Sequence, residues 1–246
     1  VNALPIANAG ADQSICDGDQ ANLSASGGVT YSWDNAGSLS NAAIGNPVAS
    51  PAITTVYTVS VSDANNCSNT DQVQVTVNSL PSVNAGADVT ICEGDATQLS
   101  AIGVGTFSWD NAGLLDNPNI AGPNASPVVT TIFNVSLTDA NNCSSSDDVE
   151  VTVVGAPIVS AGTDQSICAG VTAQLQASGA VTYSWSLPAN LDNALIAAPV
   201  FSGLATETLT VTGTDANNCS ATDDITITVN ALPIANAGAD QSICDG

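Results

Sequence analysis

The sequence contains no lysine, arginine, histidine or methionine. Charged residues make up 9% of its 246 positions, all 23 of them are Asp or Glu, and the formal net charge is −23. An average domain has ~25% charged residues, with both signs present. With no basic residue there is no basic patch, which argues against nucleic-acid and anionic-membrane partners. With no His, Ser-His and Cys-His nucleophile pairs are excluded. With no Lys, Schiff-base chemistry, a P-loop lysine and Lys–Asn isopeptide cross-links are excluded as well. No stretch approaches the ~20 apolar residues of a membrane-spanning helix, and no basic leader precedes an apolar one. No membrane insertion is therefore expected.

What is present is a repeat. Pro5, Pro81, Pro157 and Pro233 are spaced 76 residues apart, and so are Cys16, Cys92, Cys168 and Cys244. Trp33, Trp109 and Trp185 keep the same interval, as do Cys67, Cys143 and Cys219. A period held without insertion or deletion marks copies of one unit. The repeats are read as 1–78, 79–154 and 155–230, with 231–246 as the first strand of a fourth. Residues 229–246 are identical to 1–18, so the chain reads as a window of a longer tandem array.

The apolar pattern has period 2. Val73, Val75 and Val77 alternate with Gln74 and Thr76, and the same alternation recurs at Val149, Val151, Val153 and at Ile225, Ile227, Val229. Each run reads as a half-buried antiparallel strand. A preceding strand carries Tyr57, Val59 and Val61, and the turn between the two is Asp-Ala-Asn-Asn-Cys-Ser in all three copies. Asn and Asp suit such turns because they tolerate left-handed backbone and close it with their own side chains. Residues 6–15 read as the first strand, Leu23 and Ala25 mark a second, and Tyr31 and Trp33 a third. Residues 35–51 read as loops with one or two short strands. About seven short strands per repeat, with no helical stripe, predict an all-β fold of tandem β-sandwiches. Trp33, Trp109 and Trp185 are the expected core anchors.

Taken together, ANAGADQSIC, LSASGGVTYSW, TTVYTVSVSDANNC and QVQVTVN resemble the PKD-type, immunoglobulin-like repeats of secreted bacterial surface proteins, and especially those of giant Bacteroidetes-type adhesins. The resemblance implies seven-stranded immunoglobulin-like (PKD-like) sandwiches in head-to-tail arrays, an extracellular or cell-surface location, and adhesive or stalk roles. It implies no catalytic residue.

Two cysteines in every small repeat argue for disulfides and an oxidising compartment. In the immunoglobulin-like topology that the resemblance implies, the turns holding Cys16 and Cys67 lie at opposite poles, ~33 Å apart along a ten-residue strand. A disulfide needs Cα atoms within ~7 Å. The preferred pairs are therefore Cys16–Cys143 and Cys92–Cys219, each between consecutive repeats. On the same scheme Cys67 would bond to the repeat before and Cys168 to the next one, and Cys244 is read as the first cysteine of a fourth repeat. Pairing within a repeat (Cys16–Cys67), between chains, or none at all are the alternatives.

The carboxylates are read mainly as a source of solubility and self-repulsion. A candidate calcium set, the one cofactor considered, is Asp17 and Asp19 facing Asp139, Asn141 and Asn142, because calcium takes oxygen ligands. The third repeat has Ala169 and Val171 in place of the first two. An enzyme is not expected: the adjacent pairs Asp147/Asp148 and Asp223/Asp224 point to opposite faces of a strand. The expected function is a structural repeat of an extracellular fibre or adhesin stalk. Its expected partners are neighbouring repeats of the same chain and identical chains in a filament. The alternative is a calcium-dependent or carbohydrate-binding adhesive module, for which the divergent stretch holding Phe201 is the candidate surface.

Overall fold

A computed structural model describes residues 2–242. The first repeat contains β1 (Gln13–Cys16), β2 (Ala21–Asn22), β3 (Thr30–Trp33), β4 (Val48–Ala49), β5 (Thr55–Ser62) and β6 (Ser68–Asn78). The second contains β7 (Val89–Cys92), β8 (Thr97–Gln98), β9 (Thr106–Trp109), β10 (Asn124–Ala125), β11 (Thr131–Thr138) and β12 (Ser144–Val154). The third contains β13 (Gln165–Cys168), β14 (Ala173–Gln174), β15 (Thr182–Trp185), β16 (Val200–Phe201), β17 (Glu207–Thr214) and β18 (Ser220–Asn230). The fold is all-β, three immunoglobulin-like sandwiches with one 3-10 turn in each.

In the first repeat one sheet has the order β1-β6-β5-β3 and the other is the pair β2-β4. The third repeat copies this as β13-β18-β17-β15 and β14-β16. The β5–β6 hairpin runs from Thr55↔Val75 to Ser62↔Ser68. Its inward face carries Tyr57, Val59, Val61, Val73 and Val75, which pack with Ala9, Ala21, Leu23, Trp33 and Ala49 from the rest of the repeat. The period-2 alternation thus becomes one buried face, as an antiparallel sheet with one wet side requires.

The chain forms two compact units. One comprises the chain up to Asp88 with Thr97–Ser126 and Ile132–Glu150; the other comprises Val89–Ala96, Pro127–Thr131 and the chain from Val151. The first repeat lies wholly in one and the third wholly in the other, while the second contributes to both.

The first strand differs from the expectation. Residues 6–15 are not one strand but two short pairings on different partners. Asn8 bridges antiparallel to Ser26, and β1 then runs parallel to β6, from Gln13↔Val75 to Cys16↔Asn78. The switch occurs at Gly10, whose φ of +86° is open to glycine and strained for other residues. Gly27 anchors the bridge from the other side. Its φ is +105°, and a Cβ there would lie 1.8 Å from the carbonyl oxygen of Ile6. Residues 231–242 form no strand.

Candidate functional site: the disulfide-bonded repeat ends

Cys16 closes β1 and is the register partner of Asn78, the last residue of β6. Cys67 immediately precedes Ser68, the first residue of the same strand. The 11 residues of β6 therefore separate the two cysteines. At ~3.3 Å per residue that is over 30 Å, several times what a disulfide spans. The fold thus excludes the Cys16–Cys67 alternative.

Instead Cys16 is bonded to Cys143, with Cα atoms 5.5 Å apart. Cys92 is bonded to Cys219 at the same Cα separation. Each bond lies inside one compact unit. It joins the end of the β1-type strand of one repeat to the last hairpin turn of the next.

Both halves of the bond are held by backbone hydrogen bonds. At the strand end, Asp17 N–H donates to Asn78 O at 2.8 Å and Asp19 N–H to Cys16 O at 3.0 Å. In the hairpin, Asp139 Oδ1 accepts from the N–H groups of Asn141 (2.8 Å) and Cys143 (2.9 Å). Asn142 turns the chain with φ +62°. Beside the bond, residues 79–81 lead from Asn78 into the next repeat, where the Ser145 hydroxyl donates to Pro81 O. Linker and disulfide therefore connect the same two ends. The second bond has the equivalent frame: Glu93 N–H donates to Val154 O at 2.8 Å, and Cys219 N–H to Asp215 Oδ1 at 2.9 Å.

Cys67 and Cys168 are free thiols, the first half-buried and the second exposed. Cys244 lies outside the described residues.

The candidate calcium residues are not gathered at one point. Asp17, Asp19 and Asn142 line a shallow recess of about 270 Å³ beside Cys16. Asp139 and Asn141 line a different one with Pro81 and Ile102. Asp139 also has an oxygen committed to the hairpin. Among the described residues no group of three or more acidic, Cys or His side chains is placed to hold a metal ion.

The tryptophans are buried, at 4%, 3% and 3% exposure. Each indole N–H donates to a carbonyl 11 residues onward, Trp33 to Ile44, Trp109 to Ile120 and Trp185 to Ile196, all at 3.0 Å. A satisfied donor lets the whole ring enter the core. Phe201 is fully buried, so the divergent stretch offers no aromatic face to a ligand. None of the nine Trp, Tyr and Phe side chains is exposed.

Two aspartates per repeat have a role the sequence reading did not assign. Asp71 Oδ2 accepts from Ala9 N–H, and Asp12 Oδ1 from Gln74 N–H, at 2.8 and 2.9 Å. Asp147 and Asp88, then Asp223 and Asp164, repeat both bonds. The signal available was their recurrence at the repeat period. Six of the 23 acidic side chains thus pin the start of each repeat against its last strand.

Residues 3–81 match the family model described as Ig-like domain, CHU_C associated. Similar solved structures include the N-terminal eight Ig domains of Down Syndrome Cell Adhesion Molecule, at 13% identity over 93% of this chain and 37% of that one, TM-score 0.48. Sidekick-1 immunoglobulin domains 1-5 match at 12% identity over 94% of this chain and 60% of that one, TM-score 0.32. Mouse cadherin-23 EC22-24 matches at 15% identity over 94% of this chain and 100% of that one, TM-score 0.30. The chain thus spans less than two thirds of the length of the first two. No curated protein matches the sequence.

Proposed function

We propose, for a chain whose first repeat is an Ig-like domain of the CHU_C-associated type, that it is a section of an extracellular fibre or adhesin stalk whose extensibility is limited by disulfides between successive repeats. The observation that carries this reading is the covalent topology. Cys92 falls inside the loop closed by Cys16–Cys143, and Cys143 falls inside the loop closed by Cys92–Cys219. The shortest covalent path along the chain enters at Cys16, crosses to Cys143, returns to Cys92, and crosses to Cys219. Residues 17–91 and 144–218 lie off that path. Once the repeats have unfolded, tension applied at the two ends is carried by residues 1–16, the two bonds, residues 92–143 and residues 219–246, while the bypassed segments bear none of it. Each bond closes a sequence separation of 127 residues, and in the chain-entropy model a loop of that size stabilises the folded chain by about 4–5 kcal/mol.

An oxidising, extracellular setting is what such bonds require. Among the described residues no helix is long and apolar enough to cross a membrane. Buried aromatics and engaged hairpin carboxylates favour a structural role over a carbohydrate-binding or calcium-dependent one.

Single-molecule stretching from the chain termini tests the reading. The oxidised chain is expected to extend, once fully unfolded, to less than half the length reached after reduction. Equal lengths in the two states would sink the proposal. Proteolysis at Asp and aromatic residues, followed by mass spectrometry of linked peptides, identifies the bonds directly; trypsin is useless here because it has no site.

A further inference from the structure

In every repeat the opening segment and the last strand run side by side in the same direction. In the first, Asn69 Nδ2 donates to Pro5 O, Ala9 N–H to Asp71 and Gln74 N–H to Asp12, and the parallel ladder continues from Gln13↔Val75 to Cys16↔Asn78. The sequence offset across these contacts is 64 at Pro5 and 62 at Ala9 and Asp12. Residues 5–16 therefore match the extended β6 almost residue for residue. In the second repeat Ser145 meets Pro81, Asp147 meets Ala85 and Glu150 meets Asp88, and the ladder runs from Val89↔Val151 to Cys92↔Val154. The third repeats the pattern from Ala161 and Asp223 to Cys168↔Asn230.

The disulfides continue these strands from one repeat into the next, in alternation with the main chain. Residues 81–92 are entered through the main chain from β6 and left through Cys92–Cys219 into β18. Residues 143–154 are entered from β1 through Cys16–Cys143 and left through the main chain into β13. Two covalent tracks result. One is 1–16 followed by 143–168, the other 67–92 followed by 219–230. Residues 17–66, 93–142 and 169–218 lie on neither, and they hold β2 to β5 and their counterparts. The N-terminus is on the first track and the chain after Cys219 on the second. A pull between the termini must therefore change track through residues 93–142, whereas a pull along one track need not.

We propose that the two tracks carry tension past the folded sandwiches, so that a load along one track unfolds none of them and a main-chain break within 93–142 leaves the tether whole. This rests on the disulfide-limited stalk reading and says which residues bear its load. A change of track is resisted by shear, because the parallel ladder of β7 on β12 and the bonds of Asp88 and Asp147 are loaded together.

The test uses the full chain with Cys67→Ser and Cys244→Ser, which keep Cys168 as the unbonded thiol for attachment. It also carries Gly113→Arg, the one trypsin site, at an exposed position where an added Cβ meets nothing within 4 Å. Pulled between the N-terminus and Cys168, the oxidised chain is limited to residues 1–16 and 143–168, or ~140–150 Å at full extension. No unfolding step beyond about 20 Å is expected there. Pulled between its termini, it should give a step on the order of 100–150 Å as residues 93–142 unfold. Cleavage by trypsin should leave one band on a non-reducing gel and two after reduction, with the N-terminus-to-Cys168 curve unchanged. Fragments that separate without reductant would mean that the bonds are absent, and the stalk reading itself fails. A single non-reduced band together with a step of about 100 Å in the pull to Cys168 overturns this inference alone.

Discussion

The carboxylate of Asp71 accepts a hydrogen bond at 2.8 Å from the backbone N–H of Ala9, 62 residues earlier in the chain. Ala9 is 1% exposed, so water cannot replace the bond. Asp71→Ala leaves that amide unsatisfied, at a cost of about 1–3 kcal/mol. Asp71→Asn keeps an acceptor oxygen and is expected to recover most of it. Amide hydrogen exchange at Ala9 is the measurement. It should accelerate roughly 10- to 100-fold in the Ala variant, and far less in the Asn variant.

Asp63 gives the hairpin a pH dependence. Its carboxyl is held below the ordinary aspartate value of 3.8, first by the backbone N–H of Cys67 and then by Asn65. A group whose folded value is depressed contributes stability above its unfolded value and loses it as pH falls through the folded one. The thermal midpoint of the native chain should therefore exceed that of Asp63→Asn at pH 7. The gap should hold to about pH 5 and close as pH drops below 3.8. A gap that stays constant down to pH 2 would show that the charge is immaterial and only the acceptor oxygen matters.

Most of the architecture was legible because the repeat supplies three readings of each position. The Val73–Val75 alternation, the Tyr31-x-Trp33 strand and the Asp-Ala-Asn-Asn-Cys turn are local patterns, and local patterns specify strands and hairpins. The broken first strand was not legible, because its two halves choose partners far away in sequence, Ser26 for Asn8 and β6 for Gln13. The same holds for Asp71 and Asp12: each looks like a solvated surface charge until a strand 62 residues distant is laid beside it. The turn role of Asp139 was equally hidden: its Oδ1 accepts from the N–H groups of Asn141 and Cys143, and an acidic turn residue alone does not tell such a bond from a solvated charge.

The pair Tyr57 and Ser38 offers a coupling test written into the repeats. Tyr57 is fully buried, and its hydroxyl lies 2.7 Å from Ser38 Oγ. The equivalent positions hold Phe133 with Leu114, where hydroxyl and partner are both absent. Tyr57→Phe alone should cost about 1 kcal/mol by leaving Ser38 without that partner. Ser38→Leu alone should cost at least as much by stranding the buried Tyr57 hydroxyl. The double variant should cost less than the sum, with a coupling of about 0.5–1.5 kcal/mol in denaturant titrations. Additive costs would mean that the hydroxyl pair contributes nothing.

Leu187 is where the third repeat departs from the other two to its own cost. It opens the 3-10 turn with φ +52°, where the equivalents Asn35 and Asn111 have φ +50° and +48°. Left-handed backbone costs an ordinary L-residue about 1–2 kcal/mol, and Asn tolerates it better. Asn35 and Asn111 also donate through Nδ2 to Val56 O and Ile132 O, both at 2.9 Å, which a leucine cannot do. The corresponding acceptor in the third repeat is the carbonyl of Thr208. Leu187 is moreover 44% exposed, so replacing it removes little buried apolar area. Leu187→Asn should stabilise the third repeat by about 1 kcal/mol, and Asn35→Leu should destabilise the first by a similar amount. Thermal unfolding of the two variants beside the native chain checks both signs. If Leu187→Asn lowers the midpoint, its side chain packs in a way that outweighs the strain of its backbone.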